Sequence, residues 1–170
     1  MKRSTARGFT LVEIMIVVAI IALLAAIAIP NVLRGRTTAN ESAAIGNLRA
    51  LLSSAEMFRS VNNVYPTTWN TEMYGATCAA GVAPNPDFGP PSFCLDLNVG
   101  AVIQGYTYVY AAGAAPVNTY TILVTPQTLG TTGTRSFLAD QTGLIRHCIG
   151  TGTVAQVQAG STIDAAPAAC

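Results

Sequence analysis

The chain has 170 residues, of which 51% are hydrophobic and only 10% charged, well below the roughly 25% charge of soluble domains. Nine Lys+Arg against eight Asp+Glu give a net charge of +1, which excludes a basic field for nucleic acid and an acidic tail for a basic partner. The length suits one domain with its own core, and one histidine with four cysteines leaves few parts for acid–base or metal chemistry, so the composition points to an exported protein rather than a cytosolic enzyme.

The hydrophobicity is concentrated near the N-terminus. Ile14 to Ile29 is an unbroken apolar run of 16 residues, and it reaches back to Phe9 if Thr10 and Glu13 are admitted. Those 21 residues span about 31 Å as a helix, close to the thickness of a bilayer core. Lys2, Arg3 and Arg7 precede the run without an acid, so the N-terminus stays cytoplasmic and the rest of the chain is exported. Two readings compete. One is an ordinary secretory signal with a cleavage site at Ala26-Ile27-Ala28. The other keeps the helix in the mature protein and cuts before it. Glu13 favours the second, because a carboxylate heading an apolar run costs free energy and serves nothing in a disposable leader.

Gly8-Phe9-Thr10-Leu11-Val12-Glu13, the apolar run and its closing Pro30 resemble the start of a type IV pilin or a type II secretion pseudopilin. The resemblance covers roughly the first third of the chain. It implies a leader over residues 1–8, cut between Gly8 and Phe9 by a membrane prepilin peptidase that then methylates the Phe9 amine. It also implies assembly into a homopolymeric filament by inner-membrane machinery, with the subunit held in the inner membrane beforehand. Residues 9–30 would form the membrane-spanning, filament-core half of a helix, and residues 31–170 the exported domain.

The physics agrees with that carry-over. Cleavage leaves an ammonium at a helix N-terminus, where the macrodipole disfavours it, and Glu13 lies four residues on. Moving an apolar helix from lipid into a bundle gains little hydrophobic energy. Joining the ammonium to the carboxylate in a low-dielectric site is strongly favoured over leaving either alone. Glu13 is therefore the expected register-setting group for assembly. Removal of the leader leaves six basic and eight acidic residues, a near-neutral subunit able to pack against its own copies.

Pro30 is expected to kink the helix. Beyond it, Ala44, Leu48, Leu51, Leu52, Ala55 and Phe58 follow helical spacing, with Glu41, Arg49, Glu56 and Arg59 mostly on other faces and a stop near Asn62-Asn63. A helix from Phe9 to there would be about 80 Å long, too long for a compact domain, so its first half should protrude. Residues 66–102 read as a long loop rich in Pro and Gly. Strand patterns follow at Val102–Ala111, Thr119–Thr125 and Arg135–Ala139, continued by Leu144–Cys148. The fold expected is α+β: a long protruding N-terminal helix packed on a three- to four-stranded antiparallel sheet, the ladle shape of pilins.

The tyrosine stripe Tyr106, Tyr108, Tyr110 reads as core, Trp69 and Tyr74 as subunit contacts, and His147 as a surface residue. An even cysteine count in an exported chain without C-x-x-C suggests disulfides. Of three connectivities, Cys78–Cys94 would close the loop and Cys148–Cys170 would clip the tail to the last strand. There is no G-x-S-x-G, no phosphate-cradling loop and no close carboxylate pair, so neither enzymatic activity nor a cofactor or metal is expected. A surface pilus, a periplasmic secretion pseudopilus and a secreted binding module behind a conventional signal remain the three functional readings. The resembled pseudopilins often carry clustered acids near the C-terminus, whereas here only Asp140 and Asp164 lie in that region, which favours the pilus.

Overall fold

The computed structural model describes residues 9–74 and 88–170, which fall into two compact units divided at Arg36 and Thr37. Helix α1 runs from Leu11 to Asn62. In the first unit its side chains are almost all exposed, from Leu11 at 74% to Leu33 at 54%. The 18-residue stretch of highest hydropathy averages 3.0 and has none of its surface buried. Helical residues continue on both sides of Pro30, although proline has no N–H to give the preceding turn. The side chain of Asn31 donates to the Ile27 carbonyl at 3.1 Å.

The second unit is an α+β domain. Ala44, Leu48, Leu51, Ala55 and Phe58 bury one face of α1, in the 3- and 4-residue steps of an amphipathic helix. The helix ends where Asn63, at φ 59°, donates its N–H to the Arg59 carbonyl, a left-handed stop that asparagine tolerates. Against that face lies a seven-stranded sheet in the order β1 (Ala101–Ile103), β2 (Tyr106–Ala112), β3 (Tyr120–Pro126), β4 (Arg135–Asp140), β5 (Ile145–Ile149) and β6 (Ser161–Thr162), with β7 (Ala168–Ala169) also on β5. All pairings are antiparallel except β5 with β7. The four-stranded meander expected from sequence is β2 to β5. The run from Val102 is divided by a turn at Gln104 and Gly105, both at positive φ, as a twist-compatible two-residue hairpin requires. The two-residue strands β6 and β7 carry no pattern that alternation can reveal.

Alternation sends Tyr106, Tyr108 and Tyr110 of β2 and Tyr120, Ile122 and Val124 of β3 into the core. Tyr110 stacks on Tyr120 and packs against Trp69. The described residues of the segment expected to be loop include two short helical elements, α2 (Trp69–Met73) and a 3-10 turn (Pro91–Phe93), that fold onto this core. The opposite face of the sheet holds a smaller cluster in which Leu138 and Cys148 meet Val157 of α3 (Val154–Gln158). That helix opens with a reciprocal capping box between Thr153 and Gln156.

Candidate functional site

The first site is the head of α1. Gly8, like Cys78, lies outside the described residues. Phe9 is 86% exposed. Thr10 donates its backbone N–H at 2.8 Å and its hydroxyl at 2.7 Å to Glu13 Oε2, while the Glu13 N–H donates back to Thr10 Oγ1 at 3.2 Å. This is a capping box, satisfying N–H groups that a helix start leaves without intrahelical partners. Thr10 is the residue that the sequence reading passed over, although Thr-x-x-Glu before an apolar run is the signature of that cap. A carboxylate has about four acceptor positions, so the cap leaves Glu13 capacity for a further donor. Chemically, the head is a negative charge fixed one turn from the chain position where cleavage would create an ammonium.

The second arrangement is a clasp between α1 and the start of β4. Glu41 is 6% exposed, not on an outer face as its spacing suggested. Its Oε1 accepts the Thr134 N–H at 2.8 Å and hydroxyl at 2.6 Å. Its Oε2 accepts Arg135 Nε at 2.8 Å and Nη2 at 2.7 Å. Burial works to raise the Glu41 pKa, but the hydrogen bonds from Thr134 and Arg135, with the guanidinium charge, outweigh it and hold the carboxyl below its ordinary value. Asn40 adds a 2.9 Å bond to the Thr132 carbonyl.

The third region is the chain end. Cys148 and Cys170 are joined, and Cys94 is also disulfide-bonded. His147 is 1% exposed, which corrects the surface assignment: its ring meets Phe137 edge-on across the β4–β5 pair. Trp69 and Tyr74 are likewise buried, at 0% and 1%, and so are core residues rather than subunit contacts. The Trp69 indole donates to the Phe93 carbonyl at 3.2 Å and the Tyr74 hydroxyl to the Pro90 carbonyl at 2.8 Å. A tryptophan in a Pro-rich stretch gives no periodicity from which its burial could be read. Among the described residues no three His, Cys, Asp or Glu side chains group as metal ligands.

The exposed apolar helix headed by a capped glutamate is long and apolar enough to cross a membrane. Residues 3–29 match the family described as the prokaryotic N-terminal methylation motif. The chain is 38% identical over 68 residues to the type II secretion system core protein G of Klebsiella michiganensis, covering 40% of this chain and 48% of the relative. It is 42% identical over 85 residues to the type IV major pilin protein PilA of Myxococcus xanthus, covering 44% of this chain and 39% of the relative. It is 47% identical over 60 residues to the type IV wide pilus major component PilA4 of Thermus thermophilus, covering 35% of this chain and 46% of the relative. The match thus spans less than half the length of each of these curated relatives, and no solved structure matches. Over its N-terminal third the chain is similar to type IV pilins and type II secretion pseudopilins. The motif and the apolar helix fit an inner-membrane precursor.

Proposed function

We propose that the chain is a subunit of a type IV pilus, cut between Gly8 and Phe9 by a prepilin peptidase, methylated on Phe9 and polymerised with its own copies. The observation that carries this reading is the capped Glu13 at the head of an apolar helix segment whose side chains are almost all exposed. Transfer of such a helix from lipid to a bundle of like helices is nearly neutral in hydrophobic energy, so the charges decide the register. A Phe9 ammonium and a Glu13 carboxylate stabilise each other in a low-dielectric core, and each is costly there alone. The cap holds the carboxylate in place for that encounter while its remaining lone pairs accept the amine of a neighbour. Methylation keeps the positive charge.

A pseudopilus is the second reading, supported by the relatives named as type II secretion core proteins. The chain end supports the pilus. Where the resembled pseudopilins carry clustered acids, this chain closes its tail covalently through Cys148–Cys170, and Asp140 is taken up by the Thr142 N–H and hydroxyl within its own turn. Mass spectrometry of the mature subunit tests the processing step: methylated Phe9 is expected, whereas an N-terminus at Ile29 would mean a conventional signal peptide and a secreted module. Electron microscopy of sheared surface material then separates the filaments, and absence of surface fibres containing this chain would overturn the pilus in favour of the pseudopilus.

A further inference from the structure

The last ten residues lie along β5 as a strap. Thr162 and Ser161 pair with Arg146 and His147, and Ala168 and Ala169 pair with Cys148 and Ile149. The N–H groups of Ile163 and Cys170 donate to the Ile145 and Ile149 carbonyls at 3.1 and 2.9 Å. Between the two short pairings, at the middle of the strap, His147 Nε2 lies 3.2 Å from the Ala165 carbonyl. A carbonyl only accepts, so this nitrogen carries the proton of the neutral ring. The other ring nitrogen, Nδ1, is buried with no hydrogen-bond partner among the described residues, and so is Nε of the adjacent Arg146.

We propose that residues 161–169 form an acid-sensitive strap latched by neutral His147, which protonation at Nδ1 releases while the Cys148–Cys170 disulfide keeps the chain end tethered. A proton on Nδ1 becomes a donor with no acceptor in a buried site, and that costs free energy that only opening to water relieves. The charged groups around the ring strengthen the response on balance. Burial and the Arg135 guanidinium of β4 lower the His147 pKa, and the Ala165 carbonyl and the Glu41 carboxylate of α1 oppose them only in part. Arg146, its neighbour on β5, extends from the opposite face of the strand. The strap carries one ionisable side chain, Asp164, which is exposed. Two-residue strands offer little pairing to resist release, and the covalent tether makes the opening local and reversible.

Amide exchange of the full chain in detergent, with its disulfides intact, tests this between pH 7.5 and 4.5, with β2–β3 amides as the internal reference. Because the open state takes up the proton near the ordinary value of 6.5, protection of residues 161–169 is expected to fall by up to about tenfold per pH unit below that point. The β2–β3 amides, which open only with the whole domain, should stay more strongly protected than the strap throughout. His147→Gln places a permanent amide donor towards Ala165 and should remove the pH dependence. Tail protection independent of pH in the wild type would overturn the proposal, as would a Gln variant that opens like the wild type. If that variant does not fold, the wild-type imidazole titration followed by NMR decides: a histidine that titrates without shifting the 161–169 resonances sinks the latch.

Discussion

Glu41 and Arg135 are 94 positions apart in sequence, yet both guanidinium donors converge on one carboxylate oxygen while Thr134 occupies the other. Glu41→Gln places an amide among four donors and leaves the guanidinium without its counter-charge. Removing one partner from a buried pair costs about 3–5 kcal/mol. The Arg135 side chain is 28% exposed and recovers some hydration, so a loss of about 2–3 kcal/mol is expected. Urea unfolding of the full chain in detergent measures it; an unchanged midpoint would show that the clasp contributes nothing.

The same carboxylate sets a pH window. Its folded pKa lies below the ordinary 4.5, so its contribution is complete above that value and is lost as pH falls through the folded pKa. His147 works in the same direction but earlier, since its lowered pKa makes stability decline as pH drops below 6.5. Stability against pH is expected to fall in two stages. Glu41→Gln should flatten the stage below pH 4.5 and leave the stage beginning near 6.5 in place.

How legible these features were depends on how local their cause is. The apolar run, Glu13 and the helix stop near Asn62 rest on neighbouring residues and read directly from the chain, as do the alternating strands β2 and β3. The Gln104-Gly105 turn was hidden because glutamine is a poor marker of positive φ, unlike the asparagine or aspartate usual there. Glu41 was assigned outward because hydropathy does not reveal a carboxylate whose four donors come from residues 134 and 135. His147 was misplaced for the same reason: its cover is a strap that returns from 18 residues later. Thr10 was legible and missed, since its capping signature was read only as part of an apolar stretch.

Trp69 anchors the segment after α1. Its ring lies 5.2 Å from that of Tyr110, and its backbone N–H donates to the Asn98 side chain at 2.8 Å. Trp69→Ala should cost about 3–5 kcal/mol, as loss of a large buried aromatic does, seen as an early unfolding transition. A subunit-contact residue would behave differently, leaving unfolding unchanged while lowering filament yield.

Glu13 caps α1, and substitution separates that cap from the assembly role proposed for its charge. Glu13→Gln keeps an oxygen able to accept from Thr10 but removes the charge, so helix content and membrane insertion should persist while filaments are lost. Thr10→Ala removes the hydroxyl from the cap at a cost of about 1 kcal/mol and leaves the charge, so filaments should still form. Membrane fractionation and the yield of sheared filaments distinguish the two. Wild-type yield from Glu13→Gln would end the argument that charge pairing sets the register.

Lys2 is the single lysine among these 170 residues, so removal of residues 1–8 would leave the Phe9 α-amine as the one amine within residues 9–170. An amine-reactive label then reports on that group alone, and a methylated secondary amine remains a nucleophile. In detergent the processed monomer exposes the helix head, where Phe9 is 86% exposed, and labelling should go to completion. In assembled filaments the ammonium, paired with a Glu13 carboxylate in a water-poor core, is protonated and shielded, so labelling should fall by at least about tenfold, the effect of about 1.4 kcal/mol of stabilisation. Equal labelling of filament and monomer would mean that the amine stays in water after assembly, and the pairing with Glu13 would lose its physical basis.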